Sequence, residues 1–282
     1  MMRKSHHHHD SHNDEHVNQE KKVSELRAAI GPISGRSLQY CTDACLRRYL
    51  EARNWSVDKS KKMLEETLRW RAAYRPEEIR WHEIAGEGET GKVYKADFHD
   101  LEGRTVLVLK PGKQNTSSHD NQMRHLVYLI ENAILNLPKG QEQMVWLIDF
   151  TGWSLTKAVS MKTTKETAHI LQSHYPERLF SAYLYSPRGS SKPSGRFIYP
   201  KNEESMELMR RSFDAATLPA EFGGESTSQY DHEEFSRLMA KDDIRSTDFW
   251  GAADAEQEKH ACNGYSSSEV APEPAAAAGH GS

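Results

Sequence analysis

Apolar positions along this chain change period, from helical spacing at the start to strand runs and then to strands and helices in alternation. In ACLRRYLEAR, Leu46, Tyr49 and Leu50 recur at three-and-four spacing behind Asp43, which this pattern makes the N-cap. A second helix is predicted from Ser56, with Met63, Leu64, Leu68 and Trp70 as apolar positions and Pro76 as its stop. Beyond a glycine-rich break from Gly86 to Gly91 the pattern turns to strands, Val93 to Phe98 and Thr105 to Leu109, joined by an EGR turn. His119 to Leu137 then sets Met123, Leu126, Val127, Ile130, Ile134 and Leu137 on one helical face. Met144 to Ile148 is apolar on both faces, as a covered parallel strand should be. Thr163 and Glu166 have capping-box spacing for a helix through Ser173, and Phe180 to Tyr185 is the next strand. RFIY follows, Asn202 caps a helix to Phe213, and the turn LPAEFGG feeds EFSRLMAKDD.

Strand, helix, strand, helix, strand is a crossover pattern, so the predicted fold is α/β: a small N-terminal helical lobe, then a mixed, mainly parallel sheet with flanking helices. The boundaries follow composition. Residues 1–20 are a His-rich tail expected to be disordered, 21–85 the helical lobe, 90–225 the α/β domain and 226–251 a C-terminal helical extension. Residues 252–282 turn to Ala, Ser, Glu, Pro and Gly, too poor in apolar area to offset their ordering entropy, and are expected to be disordered.

Composition narrows the function. No apolar window reaches the length of a membrane span and the start is too polar for a signal peptide, so a cytoplasmic protein is expected. Three cysteines make no paired framework, and no metal-type spacing links them to histidines. The run His6 to His9 reads as part of a solvated tail, and a net charge of −4 without a basic stripe argues against nucleic acid as partner.

Two enzyme signatures fail on their chemistry. Gly86 to Lys92 has phosphate-loop spacing, yet Val93 replaces the hydroxyl that would hold magnesium, Glu87 and Glu89 would repel a polyphosphate, and the loop precedes its strand. No G-x-S-x-G elbow occurs. Asp149 is expected to satisfy backbone N–H groups in its turn, and His174-Tyr175-Pro176 to end a helix. No catalytic machinery, cofactor or metal is therefore expected.

Several segments in order, LRRYLEARNW, EGRTVLVL, QMVWLIDFTG, TAHILQSHYPERL, LYSP and LPAEFGG, resemble the CRAL-TRIO (Sec-fourteen-like) phosphatidylinositol transfer family, in wording close to its plant members. The resemblance implies a monomeric, non-enzymatic protein that sequesters a phospholipid, phosphatidylinositol first among them, and works at the surface of membranes. Lifting a two-chain lipid from a bilayer exposes roughly thirty methylenes at about 0.8 kcal/mol each, so such a protein needs a deep apolar cavity. The alternative is a protein that docks at membranes or partners without transferring lipid.

Residue by residue, the resemblance assigns Arg53 and Glu177 to the lipid headgroup, although these two read equally as a structural ion pair between lobe and core. It places Ser191 and Ser194 at the family's remaining inositide contacts, a threonine and a lysine, with Lys192 the residue that would replace the cation, and Ser154 and Thr156 where choline-lipid binders present hydroxyls, or simply as surface turn residues. Ala96 and Leu107 stand where such binders carry pocket tyrosines. Between LYSP and RFIY the family has an amphipathic gate helix, whereas residues 188–195 are shorter by about sixteen residues, or four to five helical turns. A missing gate implies a pocket open on one wall and impaired transfer.

Overall fold

The structure, a computed structural model, describes residues 7–185, 196–199 and 202–265. Four helices come first: α1 (His7–Ile30), α2 (Gly35–Tyr40), α3 (Asp43–Glu51) and α4 (Val57–Tyr74). Leu46, Tyr49 and Leu50 of α3 bury against Met63 and Leu64 of α4 and against Val23 and Leu26 of α1, the core of the lobe. The N-cap of α3 is Thr42, one residue before the expected Asp43; its hydroxyl accepts from the Cys45 N–H at 3.2 Å. Left-handed Arg75 ends α4 ahead of Pro76. Residues 7–20, expected to be a disordered tail, continue α1 instead, because Val23 and Leu26 anchor the helix and extending it costs little once nucleated.

Then follow α5 (Trp81–Gly88), β1 (Val93–His99), β2 (Thr105–Leu109), α6 (His119–Leu135), β3 (Met144–Asp149), α7 (Met161–His174), β4 (Leu179–Tyr185), β5 (Arg196–Ile198), α8 (Glu203–Ser212) and α9 (His232–Tyr265). The five strands lie in sequence order, β1 antiparallel to β2 and the rest parallel, so the α/β expectation holds. Adjacent right-handed crossovers put α6 and α7 on one face of the sheet. There Leu107, Met144 and Trp146 pack against Met123, Val127 and Ile130 of α6 and Ile170 of α7. The other face, with Val106, Val108, Val145 and Leu147, is covered by Met209 of α8 and by Phe213 and Phe222. β3 is thus buried on both faces, as its composition predicted.

Three further boundaries moved. The cap of α7 is Ser160, not Thr163: its hydroxyl accepts from the Thr163 N–H at 3.1 Å. The first half of the glycine-rich break is helix, since Gly86 and Gly88 belong to α5. Residues 252–265, expected in a disordered tail, continue α9. Ser191, Lys192 and the short segment 188–195 lie outside the described residues.

Lobe, core and α9 meet at one buried cation. Arg71 of α4 donates to both carboxylate oxygens of Glu131 on α6 at 2.7 and 3.1 Å and to Glu77 at 3.0 Å. The Tyr175 hydroxyl donates to Glu131 at 2.6 Å, and the rings of Tyr40 and Trp250 flank the guanidinium. Burial pushes the Glu131 carboxyl up, but the Arg71 charge outweighs it and holds the group below its ordinary value. Replacing Arg71 with Met would strand Glu131 without its cation and leave Glu77 only the more distant Arg36; an equilibrium urea titration should show a loss of roughly 3–5 kcal/mol, partly recovered when Glu131 is also changed to Leu.

Candidate functional site

A cavity of about 420 Å³ opens between the C-terminal ends of β2 and β3 and the start of α7. Val93, Leu109 and Ile148 form its floor, Leu126 and His125 of α6 one wall, and Thr163 and Thr167 of α7 another. Phe150, Trp153, Lys157 and Val159, from the segment joining β3 to α7, close the outer side. That segment is fixed at its root by Asp149, whose Oδ1 accepts from the Thr151 N–H at 2.9 Å, the backbone role expected of it. Gly112 holds it laterally: a Cβ at this position would stand 2.2 Å from the Thr151 carbonyl oxygen, so only glycine lets the Pro111–Lys113 turn press this close. Lys157 Nζ completes the contact by donating to the Gly112 carbonyl at 2.8 Å.

The polar groups beside the cavity are mutually satisfied or uncharged. Lys92, the lysine of the phosphate-loop look-alike, is buried against Glu87 and donates to Thr116 Oγ1 at 2.8 Å, while that hydroxyl donates to Glu87 at 2.6 Å. Burial lowers the Lys92 pKa against the pull of Glu87. Its cation is consumed internally, and Gly91, at φ +66°, lies under the Tyr230 ring where a phosphate would need room. His125 is 1 % exposed, Nε2 has no partner, and burial, aided by the Lys92 charge, takes its pKa down to about 3.

The residues assigned from resemblance fall elsewhere. Ser154 and Thr156 sit on the outer segment, exposed and hydrogen-bonded to each other at 2.9 Å, outside the cavity lining. Arg53 is half-buried, with Nη1 on the Ala52 carbonyl at 3.0 Å, and Glu177 is exposed in a left-handed turn. No ion pair joins them, so the lobe-to-core bridge is made by other residues, Arg48 and Arg178 converging on Glu142. Burial, then the charge of Glu177, raises the Glu51 carboxyl, which places the Glu177 turn near the end of α3 where Arg53 also lies. That is the opposite end of the sheet from the cavity: Leu179, just past Glu177, pairs with Met144, whereas the cavity abuts Ile148. Ala96 and Leu107 occupy opposite faces of the sheet and neither lines the cavity; on β1 and β2 the lining positions are the paired Val93 and Leu109. Trp153 and Val159 were missed, although apolar side chains in a segment of no regular structure are the available signal. Among the described residues no helix is long and apolar enough to cross a membrane, and no cluster of three or more His, Cys, Asp or Glu could hold a metal.

Residues 88–200 match the CRAL/TRIO domain and residues 16–66 the CRAL/TRIO N-terminal domain. A CRAL-TRIO domain-containing protein of Schizosaccharomyces pombe is 35% identical over 203 residues, 70% of this chain and 20% of that protein. The phosphatidylinositol transfer protein PDR17 of Saccharomyces cerevisiae is 27% identical over 235 residues, 76% of this chain and 67% of the relative. This chain spans about half of a third fungal relative, the SEC14 cytosolic factor of Yarrowia lipolytica, at 27% identity. These relatives are fungal and give no support to the plant-like wording of the motifs. The crystal structure of Sfh5 superposes with a TM-score of 0.50 at 17% identity, covering 72% of this chain and 81% of that one, a likeness of fold.

Buried neutral, His125 refuses a proton that the unfolded chain accepts below about pH 6.5, so its contribution to stability is present above that pH and is lost as the pH falls toward 3. Urea titrations should show His125→Phe losing about 2 kcal/mol less than the parent chain between pH 6.5 and about 5; parallel losses would mean that other groups carry the acid sensitivity.

Proposed function

This chain belongs to the CRAL/TRIO family, and on that premise we propose that it binds a phospholipid, phosphatidylinositol by preference, and carries it between membranes without covalent chemistry. The observation that carries the proposal is the cavity on the sheet, floored by Val93, Leu109 and Ile148 and free of any uncompensated buried charge. Its volume, about 420 Å³, falls within the roughly 300–1,000 Å³ of pockets that take small organic ligands. Two full acyl chains exceed it, so in this proposal they continue along its open side. The chain has only ten residues between Tyr185 and Arg196, too few for the family's gate segment, and in this proposal retention of cargo is correspondingly weak.

For the headgroup, Arg53 and Glu177 are the proposed contacts. Among the described residues the Arg53 guanidinium hydrogen-bonds only to its neighbour's carbonyl, which leaves donors to spare for a phosphate, and the exposed Glu177 carboxylate can accept from inositol hydroxyls. The lipid would then lie along β4, whose Ala182 and Leu184 are half-buried, its polar end near the α7–β4 turn.

Native mass spectrometry of the protein incubated with phosphatidylinositol vesicles, paired with transfer of labelled lipid between donor and acceptor vesicles, tests the proposal. Ile148→Trp should fill the cavity, displacing about four methylenes and weakening retention on the order of a hundred-fold while the fold is kept. Arg53→Ala should cost about ten- to a hundred-fold for phosphatidylinositol, the worth of a charged hydrogen bond, and much less for phosphatidylcholine. A parent chain that stays empty and transfers nothing, yet sediments with vesicles, would replace this proposal with that of a docking protein.

A further inference from the structure

We propose that the segment from Thr151 to Lys165, the outer wall of the cavity, docks on an anionic lipid bilayer. The inference rests on the lipid-binding proposal above and names the partner surface for the same site.

Large apolar side chains crowd this stretch in the open. Leu155, Val159 and Met161 are 83, 41 and 69 % exposed within seven residues of chain, although α7 and the sheet core lie immediately beneath. The same fifteen residues carry Lys157, Lys162 and Lys165, all exposed, and no Asp or Glu, a local charge of +3 on a chain whose net charge is −4. Lys113 joins them from the neighbouring turn, which is tied to the segment through the Lys157 to Gly112 hydrogen bond. Of the acids at either end, Asp149 is buried and accepts from the Thr151 N–H, and half-exposed Glu166 is engaged by His119, its Oε2 2.7 Å from Nε2.

Apolar tips interleaved with ammonium groups match the layering of a bilayer surface, where side chains enter the boundary of headgroups and acyl chains while lysines stay at the level of the phosphates. A protein interface fits less well, because lysine is depleted from such surfaces. Continuity with the cavity adds a second argument. Trp153 and Val159 line the cavity from within the segment that bears Leu155 and Met161 outside, so a lipid could pass from the docked bilayer to the sheet floor without crossing water.

The test uses the full chain and co-sedimentation with vesicles of phosphatidylcholine alone or of phosphatidylcholine with phosphatidylserine. The anionic vesicles should bind it better, and Lys162→Gln with Lys165→Gln should weaken that binding on the order of thirty-fold, since each lysine near the surface contributes about 1 kcal/mol. Leu155→Gln with Met161→Gln should weaken binding to both kinds of vesicle. All four positions are exposed, and circular dichroism verifies that the variants fold. Cargo is read separately by native mass spectrometry. An Ile148→Trp chain that is empty but still sediments would uphold the docking surface independently of transfer. Binding that ignores phosphatidylserine, or that the two double variants leave at the parent level, overturns the inference whatever the cargo result.

Discussion

Arg71 is the cation on which the relative placement of lobe, sheet and C-terminal helix depends. Its partners come from α6, from the turn after α4 and from α9, and taking such charges out of water costs several kcal/mol per ion unless every partner is in place. At the edge of this cluster Arg36 of α2 binds Asp254 of α9 at 2.6 Å and Glu78 at 2.7 Å, so α9 straps the lobe down. Because α6 and α7 run against the strands, Glu131 and Tyr175 lie toward the N-terminal ends of β3 and β4, and the rigid cluster occupies that end of the sheet. The cavity takes the other end, where the strands finish and loops begin, the usual place for ligands in open α/β sheets. Rigidity and access are thereby separated along one set of strands.

Much of this architecture was legible. The two apolar faces of β3, the helical face of α6 and the crossover order are written in residue periods that tertiary contacts reinforce. Where the reading slipped, local chemistry offered equal choices. Thr42 beside Asp43, and Ser160 ahead of Thr163, are all competent caps, and the choice is made by the angle at which the chain enters the helix. The ends of α1 and α9 were misjudged for another reason: their polar sequences cannot form a core, but they extend helices already anchored by Val23 and Leu26 in one case and by Phe235 and Met239 in the other.

The site was less legible than the fold because its chemistry is apolar and resemblance directs attention to polar residues. Arg53 and Glu177 reach the same neighbourhood, yet Ser154 and Thr156 face solvent while Trp153, one residue earlier, lines the cavity. Leu107 shares a face with Leu109 but is fully buried under α6, whereas Ala96 lies on the opposite face, so on β1 and β2 the cavity is lined by the paired Val93 and Leu109.

The phosphate-loop look-alike closes the argument about what the cavity can hold. Its lysine is spent on Glu87 and Thr116, and His125 beside it is uncharged at neutral pH, so neither offers a free cation to a phosphate on the cavity's inner side. Bringing a phosphate there would require breaking a buried ion pair and leaving Glu87 without its cation, a cost of several kcal/mol with nothing to offset it. Acyl chains carry no such penalty. A phospholipid entering this site must therefore leave its polar end outside, where the lysines of the outer segment or the Arg53 side chain can meet it.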